Sequence, residues 1–135
     1  VFMDNDYTKE EMKMSWETKK IMGDDTILVN PTAVRVPVFF GHGEAIHIET
    51  RQPIDAEEVK QLLANAPGVK VYEIREEFPT QVSSASGNDE VHVGRIRNDI
   101  THPNGINMWV VSDNIRKGAA TNSVQIAETL VRDYL

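Results

Sequence analysis

Arg35 and His42 are the residues of this sequence best suited to chemistry. They lie in its most apolar run, residues 31–50, PTAVRVPVFFGHGEAIHIET. A guanidinium in apolar surroundings is costly unless an anion meets it, and its planar fork matches a carboxylate bidentately. His42 stands between Gly41 and Gly43, whose lack of side chains lets another molecule come close to the ring. Together they read as an anion clamp beside an acid/base group. On these residues alone the alternative is an edge-strand arginine and a turn histidine. Glu10 and Lys13, three apart, share one helix face and by themselves read as an ordinary solvated ion pair.

The elements that must position these groups follow from pattern. Residues 4–23 predict a helix, with a Thr8/Glu11 capping box, Lys19 and Lys20 in the last turn and Gly23 just beyond it. Val34, Val36, Val38 and Phe40 alternate with Ala33, Arg35, Pro37 and Phe39, which predicts a strand over residues 31–40, edge-placed or bulged at Pro37. Ile46 and Ile48 continue the alternation. Arg35 and His42 are seven apart, so a regular strand would point them to opposite faces. For both to meet one ligand the backbone must bulge, and Gly41 to Gly43 is the expected place.

Asp55 caps a second helix over residues 55–66, with Val59, Leu62, Leu63 and Ala66 as its apolar stripe and Pro67-Gly68 as its stop. Residues 69–74 read as a strand and residues 76–89, rich in serine, as an exposed loop. Residues 91–99 alternate again; Arg95 and Arg97 there line either a second anion site or a solvated face. Residues 106–111 read as a buried strand. Residues 117–135 read as a last helix, small at Gly118, Ala119 and Ala120, with Val124, Ala127, Leu130, Val131 and Tyr134 as its stripe. His47 reads as structural, and His92 and His102 as surface residues. The order helix, strands, helix, strands, helix predicts an α+β fold, a mixed and largely antiparallel sheet with helices on one face.

At 135 residues, 40% of them hydrophobic, the chain is expected to form one domain, residues 1–135, with a real core. A net charge of -7 argues against nucleic acid or an anionic membrane as partner. No apolar run approaches the roughly 20 residues that span a bilayer. With no cysteine, the chain has no disulfide, no thiolate metal site and no cysteine nucleophile of its own. That usage is compatible with the cytosol. No HExxH pattern or acidic calcium loop occurs, so no metal is expected. Opening on Val1 and entering a capped helix almost at once, the chain looks like a fragment or a processed product.

Two long motifs carry a family resemblance: R-x-P-V-x-x-G-H at residues 35–42 and DNIRKGAATNSVQIAE at residues 113–128. With the sequence from about Asp4 onward, they resemble the C-terminal part of the aspartate-β-semialdehyde dehydrogenases. The resemblance implies a domain like the second domain of glyceraldehyde-3-phosphate dehydrogenase, used for substrate binding and self-association in a cytoplasmic homodimer or larger homo-oligomer. It implies that the intact enzyme interconverts L-aspartate-4-semialdehyde and 4-phospho-L-aspartate with NADP and phosphate, in lysine, methionine, threonine and isoleucine biosynthesis. Carried over by motif, His42 is the acid/base group, Arg35 and Glu10 bind substrate, Lys13 binds phosphate and Asn114 lies at the cofactor. The family's nucleotide domain and cysteine nucleophile lie upstream, so this chain alone is expected to be inactive. The alternative is a non-catalytic self-associating module or a cysteine-less paralogue.

Overall fold

The structure, a computed structural model, describes residues 1–74 and 76–135. The described residues cluster into two compact units, 1–37 and 38–135.

The first unit is built on helix α1, Lys9–Met22. Its start is fixed by the expected capping box: Thr8 Oγ1 accepts from the Glu11 amide at 3.2 Å, and Glu11 Oε2 accepts from the Thr8 amide at 2.7 Å. Gly23 ends the helix in the left-handed region at φ 65°, and its N–H closes on the Lys19 carbonyl. Residues 4–7, expected in the helix, precede the cap and lie outside it. Residues 27–36 form neither helix nor strand. The strand expected over 31–40 is therefore not formed. Alternation of apolar residues reports spacing, whereas a strand needs a partner, and Pro37 removes one donor besides. Val34 and Val36 stay 75% and 53% exposed, as an unpaired segment leaves them.

The second unit holds a four-stranded mixed sheet, confirming the α+β expectation. Strands β1 (His42–Glu49), β2 (Val69–Val71), β3 (Val91–Asn98) and β4 (Gly105–Ser112) stand in the order β1-β4-β3-β2. The β1/β4 and β4/β3 pairs are antiparallel, and β2 runs parallel to β3. No bulge falls at Gly41 to Gly43: the ladder is regular from His42 opposite Ser112 onward. The irregularity lies in β3 between Gly94 and Arg97, where Arg95 takes φ 55°.

Helix α2 (Ala56–Ala64), capped by the Asp55 carboxylate on the Glu58 amide at 2.8 Å, packs Val59 against Val93, Ile96, Ile106 and Met108. Burying one such side chain contributes about 1.5–3 kcal/mol. Ile46 joins that face from β1. The opposite face meets residues that were expected to be an exposed loop. There Pro79 is fully buried, and a π-helical turn, Gln81–Ala85, buries Ser84 and Ala85. Trp109 Nε1 donates to the Pro79 carbonyl at 2.9 Å, which fixes this segment to β4. A second π-helical turn, Arg116–Ala120, leads into helix α3 (Thr121–Tyr134), in which no residue is buried.

His92, expected at the surface, is 2% exposed, because it lies on β3 opposite Val111 on the face covered by that segment. Its Nδ1 is 3.3 Å from the Tyr72 hydroxyl, and its Nε2 has no partner. Burial pushes its pKa below the usual histidine value. A base with a depressed folded pKa binds its proton more readily when unfolded. Stability from His92 is thus intact above about pH 6.5 and falls as pH drops from there toward the folded pKa. His47 has the opposite sign. Glu49 first, then Asn107 and Asp99, raise its pKa, so its contribution is full below about pH 6.5 and fades as pH rises through the folded value. The thermal midpoint measured against pH should therefore decline on the acid side of about 6.5, and His92→Leu should flatten that decline while His47→Gln leaves it in place. An unchanged acid slope in His92→Leu would show that His92 does not cause it.

Candidate functional site

Three of the five candidate residues belong to the first unit. Glu10 and Lys13 lie in the first turns of α1, exposed, and Lys13 Nζ stands 3.9 Å from Glu17 Oε1. An exposed pair at that separation leaves the ammonium available to an anion. Arg35 is exposed on the irregular segment after α1. Glu11 links the two: besides closing the cap with Oε2, it accepts the Ala33 amide on Oε1 at 2.9 Å. The hydrogen bond from Ala33, then those from Thr8, lower its carboxyl pKa. One buried carboxylate thus ties the backbone two residues before Arg35 to the helix start that carries Glu10 and Lys13. The capping box betrays Glu11 in the sequence; its reach to Ala33 has no local signal.

His42 and Asn114 belong to the second unit. His42 is the first residue of β1 and is exposed. The backbone enters through Gly41 at φ 100°, a conformation that favours glycine. Asn114 Oδ1 accepts the Gly41 amide at 2.8 Å. The same contact fixes the turn before His42 and leaves the Asn114 amide nitrogen to donate elsewhere. A Cβ placed on Gly118 would lie 3.9 Å from both His42 Cε1 and Asn114 Cβ. The ring edge, the carboxamide and the second π-helical turn are therefore neighbours. Asp113, 4% exposed, organises that turn by accepting the amides of Gly87, Ile115 and Arg116. The hydrogen bond from Gly87 leads the interactions that hold its pKa down. Arg116 in turn grips Asp89 at 2.7 and 2.9 Å, and with Thr121 this holds the Asp89 pKa at about 2. A shallow cleft lined by Phe40, Ser86, Gly87, Asp113, Ile115 and Arg116 adjoins Asn114.

His47 sits among Glu49, Asn107 and Asp99, as a structural residue would. Arg97 donates to the Arg95 carbonyl at 2.8 Å, an engagement within the bulge. Gln81, which pattern reading passed over in a polar stretch, lies against Gly41 and Gly43. Among the described residues no group of three or more His, Cys, Asp or Glu could hold a metal ion, and no helix is long and apolar enough to cross a membrane.

Residues 1–117 match the family profile described as semialdehyde dehydrogenase, dimerisation domain. A Shewanella sp. (strain DB6705) aspartate-semialdehyde dehydrogenase is 69% identical over 133 residues, 98% of this chain and 39% of that protein. An aspartate semialdehyde dehydrogenase II from Vibrio cholerae, solved complexed with ASA, is 64% identical with a TM-score of 0.95, covering 100% of this chain and 40% of its own. The Francisella tularensis aspartate semialdehyde dehydrogenase is 30% identical with a TM-score of 0.84, over 95% of this chain and 37% of its own. The chain thus spans about two fifths of the length of the relatives it matches.

Proposed function

The chain belongs to the semialdehyde dehydrogenase family through its dimerisation domain, and from that premise we propose that it is the substrate-binding and self-associating part of a cytoplasmic aspartate-semialdehyde dehydrogenase. The proposed reaction interconverts L-aspartate-4-semialdehyde and 4-phospho-L-aspartate with NADP and phosphate. One observation carries this reading: two aspartate-semialdehyde dehydrogenases are 69% and 64% identical across essentially the whole chain. That continuity gives no support to a non-catalytic module.

In this reading the nucleophile is a cysteine thiol from outside the chain, which has none. The exposed His42 imidazole takes the thiol proton, because the thiolate is the attacking species. Arg35 holds the substrate carboxylate with two parallel N–H donors. Glu10 accepts from the substrate ammonium, and Lys13 supplies a positive charge to phosphate. NADP, when bound, supplies the redox chemistry. Toward a nucleotide this chain offers the Asn114 carboxamide, whose Oδ1 accepts the Gly41 amide and whose NH2 can donate. The chain carries no GxGxxG turn to cradle a pyrophosphate.

The test is phosphate-dependent NADPH formation from L-aspartate semialdehyde, measured for the full-length protein and for residues 1–135 alone. The full-length protein should be active and the isolated chain inert, while sedimentation should find the isolated chain self-associated. Activity in the isolated chain, or none in the full-length protein, would overturn the proposal.

A further inference from the structure

We propose that Gln81 is a positioning residue for His42, bracing the Gly41-His42-Gly43 backbone from the sheet face opposite the imidazole. The inference rests on His42 being the base of the proposed reaction.

The two glycines flanking His42 answer to Gln81. A Cβ on Gly41 would come 2.8 Å from Gln81 Cβ and 3.0 Å from its Cγ. A Cβ on Gly43 would strike the Gln81 carboxamide nitrogen and come 2.9 Å from its Cδ and from Trp109 Cη2. Any other side chain at either position would displace the glutamine, so the Gly-His-Gly run forms a bed in which Gln81 lies. Side chains alternate along a strand, so the bed at Gly43 is on the face away from the His42 ring. Gln81 therefore acts on His42 through the backbone and does not contact the reacting atoms on the ring's side.

The brace is itself anchored. Gln81 opens the first π-helical turn; Thr80 Oγ1 accepts the Ser83 amide at 3.0 Å, and the Pro79 carbonyl accepts Trp109 Nε1 at 2.9 Å. Gly94 makes the room for Pro79: a Cβ there would lie 2.6 Å from Pro79 Cδ. On the entering side Asn114 holds the Gly41 amide at 2.8 Å. The start of β1 is thus gripped by Asn114 before the histidine, by the ladder to β4 after it, and by Gln81 behind it. An edge strand without that third grip would let the ring wander, and a displacement of about 1 Å can lower a rate by 10²-fold.

The test uses the full-length enzyme. Gln81→Ala should lower kcat by about 10- to 10²-fold with KM for the semialdehyde little changed. Gln81→Met, which keeps the length and bulk of the brace, should restore most of the loss. In a His42→Ala background Gln81→Ala should cost nothing further, since its effect passes through the ring. Should Gln81→Ala fail to accumulate as folded protein, Gly43→Ala drives a methyl into the same contact, and kcat should fall with KM little changed; unchanged kcat in that variant would overturn the inference. Unchanged kcat in Gln81→Ala, or an equal further loss in the His42→Ala background, would overturn the inference. A loss that Gln81→Met does not restore would also overturn it, by assigning the effect to the carboxamide. If His42→Ala itself retained full activity, the base reading would be what failed.

Discussion

In the proposed full-length dehydrogenase, His42→Ala is expected to lower kcat by about 10²–10⁴-fold and to leave KM for the semialdehyde nearly unchanged. A general base acts on a proton in flight, so its removal is felt in the transition state far more than in the bound ground state. The structure fits that role by what it leaves free. His42 is exposed at the head of β1, while the contacts that fix its position fall on its neighbours: Asn114 on the Gly41 amide and the β4 ladder on the strand. The ring nitrogens are therefore open to a thiol and a substrate. Steady-state kinetics on folded protein, with exogenous imidazole added to the variant, is the measurement. Rescue by imidazole with KM unmoved is the signature of a missing proton acceptor. A variant with near-normal kcat would remove His42 from the chemistry and leave it as a strand residue.

Local chemistry was readable wherever one residue decides a local geometry. Thr8 with Glu11, Gly23, and Asp55 with Glu58 each satisfy a helix end using neighbours within a few positions, and each does so in the structure. The strands of the central pair, β3 and β4, were likewise evident: residues 91–99 alternate in residue type and residues 106–111 are mostly apolar, as suits strands that pair on both edges. Residues 31–40 show the limit. Their alternation is as regular as that of β3, yet a ladder depends on which other segment is at hand, and none pairs with them. The stretch before β3 fails in the other direction. Its serines and proline look like an exposed loop, but Pro79 and Ala85 are buried because Gly94 and Trp109, distant in sequence, open a place for them. His92 was misplaced for the same reason: its cover is that segment. At the candidate site, residue types and spacing pointed to Arg35 and His42, and the family resemblance to Asn114. The residues that steady the backbone around them, Glu11 and Gln81, act through contacts 22 and about 40 positions away, where sequence spacing is silent.

In the same proposed enzyme, Arg35→Lys is expected to lower kcat/KM for the semialdehyde by about 10- to 10²-fold, through a higher KM and a lower kcat together. Lysine keeps the charge but loses the planar fork, so one of two parallel hydrogen bonds to the substrate carboxylate goes, and with it the alignment of the aldehyde. A hydrogen bond to a charged group is worth about 1.5–3 kcal/mol, and about 1.4 kcal/mol is tenfold in rate, which sets the range. The substitution should touch little else. Arg35 is exposed, and its backbone is held two residues earlier, where Ala33 donates to Glu11 at 2.9 Å. The head group can thus change without releasing the segment. A clamp makes a further demand that a merely structural arginine does not. Its loss should matter only for substrates that bring a carboxylate to it. For a short aldehyde lacking that group, wild type and Arg35→Lys should have similar kcat/KM, so the variant loses selectivity as well as rate. Equal losses on both aldehydes would mean that Arg35 supports the fold of its segment and does not bind substrate. Unchanged kinetics on the semialdehyde would leave the apolar stretch from residue 31 to 50 with a base and no anion clamp.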